Sequence, residues 1–194
     1  MISLVTHEAF PGHHLEHAWK ETRLVIEQDR AEASIQLINT PEAYVSEGLA
    51  EVGGRYVVDD ARWMELFGVI CERAGIPSDE ADPATEWQVS RTLRGLRAVS
   101  ADAALMLHAD GRPRDEVVEF LERHGLLSRV RAEKSYEFID HPLWRTYVFC
   151  YSGGERLLAE WCAVAGDLAA QRGRFLRLLT EQLTPSAIAA ELAG

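Results

Sequence analysis

A Pro-Gly pair inside a histidine-rich run sets the tightest limit on how this chain can fold. The run is His7-Glu8-Ala9-Phe10-Pro11-Gly12-His13-His14-Leu15-Glu16-His17, and it holds four of the seven histidines. Neutral imidazole is a common ligand for zinc and other transition metals. A His followed directly by Glu suggests the helical zinc-hydrolase pattern, in which a second His four residues on completes the pair and the Glu is the general base. Here that fourth position is Pro11. On a regular helix, His13 would lie about 240° round from His7, and His14 about 10.5 Å further along the axis. If His7 and His13 share one ion, the helix must break between them. Proline removes a helical donor and glycine permits close backbone approach, so Pro11-Gly12 is suited to that break. A competing pair, His13 with His17, is four apart on one face but leaves Glu8 without a role. His14 is a third candidate for the second ligand.

The rest of the chain reads as helix. Thr40-Pro41-Glu42 is a helix start with Thr40 as N-cap, and the helix it opens carries Tyr44, Val45, Glu47, Leu49 and Val52. A kink is expected at Gly53-Gly54, with the helix resuming to Gly75. A second run extends from Gly12 to about Arg30. Residues 78–83 form an acidic loop. One long helix is expected from Ala84 to about Ala109, with Val89, Leu93, Leu96, Val99, Ala103 and Leu107 as its core stripe. Arg114 to Arg123 and Ser128 to Phe138 are shorter helices, the first ending at a C-terminal His124. Leu143 to about Leu168 is helical with a disturbance at Ser152-Gly153-Gly154, and Arg172 to Glu181 and Pro185 to Leu192 close the bundle. The expectation is an all-α helical bundle, residues 1–194 forming a single helical metal-binding domain.

Hydrophobic residues at 47% and charged residues at 26% are ordinary globular values. A formal charge of −11 argues against nucleic acid and anionic membrane surfaces as partners. Cys71, Cys150 and Cys162 lack any CxxC spacing and suit reduced thiols in a cytoplasmic protein. Cys71 and Cys162 are expected in the core. No apolar run is long enough for a membrane span.

His-Glu-x-x-Pro-Gly-His-His resembles the signature of the DUF885 family, bacterial proteins similar to helical zinc metallopeptidases of the gluzincin type. Ser46-Glu47-Gly48-Leu49-Ala50 is similar to its second motif. Arg97-Ala98-Val99-Ser100-Ala101-Asp102, Leu107-His108-Ala109 and Tyr151-Ser152-Gly153-Gly154 follow in the expected order. The resemblance covers roughly residues 5–160. It implies Glu47 as the third metal ligand beside His7 and His13, one zinc ion per chain, and a peptide or other amide substrate. It also raises Asp102 and His108 to groups that support the ligands. Family members are longer, with a helical segment before the His-Glu motif. This chain is therefore expected to be a shortened relative or a fragment, its cleft completed by a partner chain or a second copy.

In this reading Glu8 takes the proton from a metal-activated water and passes it to the leaving amine. Tyr151, ahead of Tyr147 and His141, donates to the developing oxyanion; the two tyrosines, four apart, also fit a helix core. His17 is either a supporting group or surface. The alternative is a metal-binding or interaction domain without turnover, which needs His7, His13 and Glu47 but not Glu8. A plain bundle with an incidental histidine cluster would be indifferent to all four.

Overall fold

The computed structural model describes residues 1–77 and 79–194. Among them there are helices and turns and no strand. The elements are α1 (Ile2–Glu8), α2 (His13–Lys20), α3 (Pro41–Gly53), α4 (Asp60–Ala74), α5 (Pro83–Gly95), α6 (Ala98–His108), α7 (Arg114–Gly125), α8 (Arg129–Asp140), α9 (Val148–Ala163), α10 (Leu168–Thr180) and α11 (Pro185–Ala193). No helix among the described residues is long and apolar enough to cross a membrane.

Local chemistry sets most helix starts. The Thr40 hydroxyl accepts from Ala43 N at 3.2 Å, with Pro41 in the first turn. Asp59, Asp82, Asp167 and Thr184 cap α4, α5, α10 and α11 in the same way. Each satisfies a backbone N–H that the helix itself cannot. Ser128 precedes α8 without a side-chain cap bond. Gly75 ends α4 at φ +69°, a left-handed conformation that costs glycine little.

Two cores form, and α9 belongs to both. In the first, Val45, Leu49 and Val52 of α3 pack on Leu158, Trp161 and Cys162 of α9, with Phe175 and Leu178 of α10 and Ile188 of α11. In the second, Ala103 and Ala104 of α6 meet Val117, Val118 and Leu121 of α7, Ile139 of α8 and Val148 of α9. Helices α3 and α9 cross at Gly48 and Gly154. A Cβ on Gly48 would sit 2.6 Å from the Gly154 carbonyl carbon, and one on Gly154 would sit 2.5 Å from the Tyr44 carbonyl oxygen. Backbone therefore touches backbone there, and the flanking side chains of both helices are drawn together. The three cysteines are buried free thiols.

Four sequence expectations are corrected. The Gly12–Arg30 helix is α2 followed by a π-helical turn at Glu21–Ile26 and a 3₁₀ turn at Ala31–Ser34. Helix α3 does not run on past Gly53; a 3₁₀ turn at Gly54–Tyr56 leads to a new helix capped by Asp59. The helix over 84–109 is two helices, parted after Gly95. Val89 and Leu93, placed in its core stripe, are 44% and 48% exposed, because α5 packs on α4 rather than in the second core. Helix α9 begins at Val148, after turns at 141–147, and passes through Ser152-Gly153-Gly154 undisturbed, since the glycines serve helix packing. Ser78, at the start of the acidic loop, lies outside the described residues.

Candidate metal centre

Helices α1 and α2 both rest on α3, and the break between them joins the two histidines. Pro11 and Gly12 are buried, and a Cβ at Gly12 would overlap the His7 carbonyl. Only glycine lets the start of α2 fold down onto the end of α1. The His7 and His13 rings then stand edge to face with centroids 4.8 Å apart. That is what the sequence required if the two were to share an ion.

Glu47 rises from α3 between them. His7 Nε2 lies 3.4 Å from Glu47 Oε2, and His13 Nε2 lies 3.6 Å from Glu47 Oε1. The ligand atoms of His7, His13 and Glu47 all fall within 4.8 Å of one another, a grouping that can hold a metal ion. Tyr147 Oη, at the start of α9, donates to Glu47 Oε1 at 2.5 Å. Glu47 Oε2 is buried and accepts no hydrogen bond. A buried carboxylate oxygen without a donor is costly unless a cation completes it, so the residues present fit a metal.

The outer nitrogens of both rings are also engaged. Ser46 Oγ donates to Glu16 Oε2 at 2.6 Å, so its hydrogen is committed. His13 Nδ1, 3.1 Å from the same Oγ, must then be the donor, which leaves Nε2 as the lone-pair nitrogen facing Glu47 when the ring is neutral. Glu16 is 1% exposed, and its other oxygen accepts from Lys20 Nζ at 2.6 Å. On the other ring, His7 Nδ1 lies 3.3 Å from Glu51 Oε1, and Arg97 pairs with Glu51 Oε2. Each imidazole thus points Nε2 inward and Nδ1 toward a carboxylate or its relay.

The electrostatics agree. Burial opposes a charge on His13, yet the hydrogen bonds and negative charge of Glu16 and Glu47 outweigh it and raise the imidazole to about 9. Burial likewise opposes the charge on Glu47. His13, His7 and Tyr147 reverse that and hold it down to about 2. Burial also opposes the Glu16 charge, but His13, Lys20 and Ser46 bring that carboxyl to about 2. Without a metal, a proton on His13 takes the place that a cation would fill.

The remaining sequence candidates are distributed unevenly. Glu8 follows His7 and is exposed, and its charge reaches Tyr151. Burial first, then the Glu47 charge, push the Tyr151 phenol up to about 12. Tyr151 and Tyr147 stand edge to face at 5.6 Å. A cavity of about 380 Å³ joins Tyr151 and Glu51 to Ser100, Ser135, Phe138 and Val148. His17 is exposed with its ring 6.0 Å from His13, and groups with His13 and Glu16 as a second set within ligand spacing. Both Glu16 oxygens are already bonded, so that set offers less to an ion. The structure does not bring the other candidates into the group. His108 Nε2 contacts the Ile139 carbonyl at 2.7 Å, tying α6 to α8. Asp102 is exposed on α6 and makes no ion pair among the described residues. His141 is exposed, and its Nδ1 accepts from Leu143 N at 3.1 Å. His14 is exposed beside His13.

Glu16, Ser46, Lys20, Glu51 and Arg97 were not singled out as site residues by sequence. The available signals were spacings: Glu16 three after His13, Lys20 four after Glu16, Glu51 four after Glu47. In comparisons with family models, curated proteins and solved structures, none matches this chain.

Proposed function

We propose that the chain is a zinc-dependent hydrolase of peptide or other amide bonds. The observation that carries this reading is Glu47 Oε2, buried, without a hydrogen-bond donor, and facing two imidazoles whose outer nitrogens are already engaged. Two His nitrogens and one carboxylate form a donor set found in catalytic zinc sites, which keep a position open for water. His7, His13 and Glu47 would hold the ion; bound there, zinc polarises a scissile carbonyl and lowers the pKa of water.

The chain's own groups supply the rest. Glu8, adjacent to a ligand and solvent-accessible, takes a proton at its carboxylate and returns it to the leaving amine. Tyr147 has its hydrogen committed to Glu47 and so holds a ligand in place. The Tyr151 hydroxyl makes no hydrogen bond among the described residues and is the phenol able to donate to an oxyanion. The cavity that Tyr151 shares with Phe138 and Val148 offers an apolar wall to one substrate side chain. The resemblance of the His-Glu-x-x-Pro-Gly-His-His run to DUF885 proteins supports the same chemistry.

The test is metal content and turnover. Tag-free protein purified without added metal is expected to carry about one zinc per chain, lost in Glu47→Ala. Glu8→Gln is expected to retain zinc and lose peptide hydrolysis. Zinc retention with no Glu8-dependent turnover would reduce the chain to a metal-binding module. Failure to bind zinc at micromolar concentration would end the hydrolase reading.

A further inference from the structure

We propose that Glu51 and Glu16 are positioning residues that set the orientation of His7 and His13 toward the metal, each from the far side of its ring. The proposal rests on the metal reading above and goes beyond it in assigning roles to residues that hold no ion themselves.

The geometry is the same on both arms. Glu51 divides its oxygens between His7 Nδ1, at 3.3 Å, and Arg97. Glu16 divides its oxygens between Lys20 Nζ and the Ser46 hydroxyl, each at 2.6 Å, and Ser46 in turn receives His13 Nδ1. In both arms a carboxylate faces the Nδ1 side of the ring, Glu51 directly and Glu16 through Ser46, and a cation holds the carboxylate. Ligating imidazoles are generally oriented through the outer nitrogen in this way. If either carboxylate rotated inward to become a ligand, its cation would keep only a longer contact, Lys20 to Glu42 at 4.0 Å or Arg97 to Glu155 at 3.9 Å. The cost is greatest for Lys20, which is 6% exposed.

The same pairing controls charge. Glu16 is offset by Lys20 and Glu51 by Arg97, so of the three carboxylates that face the two rings Glu47 is the one without a Lys or Arg partner. A centre with three uncompensated carboxylates would hold a dication more tightly but leave it a weaker Lewis acid. The arms are unequal in access: the Glu16 arm is enclosed, whereas Arg97 is 35% exposed and lines the cavity that reaches Tyr151. Glu51 is therefore the arm that can be tested singly without burying an unpaired charge.

The experiment measures zinc affinity by competition with a chromophoric chelator, the visible spectrum of the cobalt-substituted protein, and the melting temperature of the metal-free protein. The variants are Glu51→Gln, Ser46→Ala, the double change Glu16→Gln with Lys20→Met, and a remote charge control, Glu65→Gln. Glu51→Gln is expected to lower zinc affinity about 10- to 100-fold and shift the cobalt bands, with melting of the metal-free protein nearly unchanged. Ser46→Ala is expected to do the same to zinc and cobalt but also to lower the melting temperature, because it leaves the buried Glu16 Oε2 without that donor. The double change, which removes both buried charges together, is expected to lower zinc affinity and shift the cobalt bands likewise. Glu65→Gln should match the wild type in every readout. If the wild type binds zinc and the variants bind it within about twofold with unaltered cobalt bands, the positioning role is overturned while the metal site stands. If the wild type binds neither metal, the metal reading and this role fall together.

Discussion

Replacing Gly154 with alanine tests the crossing on which the metal centre is hung. The new Cβ would lie 2.5 Å from the Tyr44 carbonyl oxygen and 3.0 Å from Gly48 Cα, where ordinary contact begins near 3.4 Å. These neighbours are backbone, so no rotamer change relieves the overlap, and α9 must move off α3 by roughly 1 Å. Overpacking of a tight interior costs about 1–3 kcal/mol, and rigid backbone contacts put this site at the upper end. Separation also loosens Val45, Leu49 and Val52 against Leu158 and Trp161. Alanine returns about 1 kcal/mol of helix propensity, leaving a net loss of about 2 kcal/mol. For a chain of this size the melting temperature should fall by roughly 4–8 °C, read by far-ultraviolet circular dichroism. Gly173→Ala supplies the control: it is exposed on α10 with no atom near its would-be Cβ, and should gain about 0.5–1 kcal/mol. The Gly154 variant should also weaken zinc binding, because Tyr147 reaches Glu47 across the same interface. A Gly154→Ala protein that melts with the wild type, while Gly173→Ala is raised, would refute direct backbone contact at the crossing.

Zinc affinity should rise about tenfold per pH unit between 6.5 and 9, because the ion must displace the proton that His13 holds up to about 9; competition titrations across that range give the slope. The metal-free protein should run the other way. The stability that charged His13 contributes is full below its ordinary 6.5 and is lost as pH rises through 9. The stability from Glu16 and Glu47 is full above their ordinary 4.5 and is lost as pH falls toward 2. Thermal melts of chelator-treated protein should therefore peak between about pH 4.5 and 6.5. Asp167→Ala removes the acceptor that holds Ala170 N at 2.9 Å and should cost about 1 kcal/mol by urea unfolding, with zinc affinity unchanged. Tyr147→Phe frees Glu47 Oε1 and should weaken zinc binding severalfold, whereas Tyr151→Phe should leave binding intact and reduce turnover.

The parts of the fold governed by local chemistry were legible in the sequence. Thr40-Pro41 and Thr184-Pro185 announce helices because capping needs only residues a few positions apart. The Pro11-Gly12 break was legible for the same reason. What failed depended on tertiary packing. Val89 and Leu93 keep the right period with Val99 and Ala103, but periodicity gives no account of which neighbour covers a stripe, and α5 turns away after Gly95. Ser152-Gly153-Gly154 suggests a weak point in a helix by propensity alone. In the bundle it is where α9 meets α3 most closely, since Tyr44 and Gly48 approach it from the other helix.

The candidate site divides along the same line. His7, His13 and Glu47 could be paired on paper because a metal needs donors and their types are visible. Glu51 could not be read so: on one helix it is a like-charged neighbour of Glu47, four residues on, which alone is unfavourable. The third dimension changes its sign. His7 arrives from α1 between the two carboxylates, with Nε2 toward Glu47 and Nδ1 toward Glu51, and Arg97 arrives on the outer side. The repulsion of the pair thereby becomes an alignment of one imidazole between two anions. Lys20 and Glu16 do the same for His13 from within a single helix. A site built this way needs helices α1, α2 and α3 held in a fixed relation, which the Gly12 contact with His7 serves, while the Gly48–Gly154 crossing sets α9 against α3 and so brings Tyr147 to Glu47. The glycines that look least chemical in the sequence are therefore the ones on which the metal geometry depends.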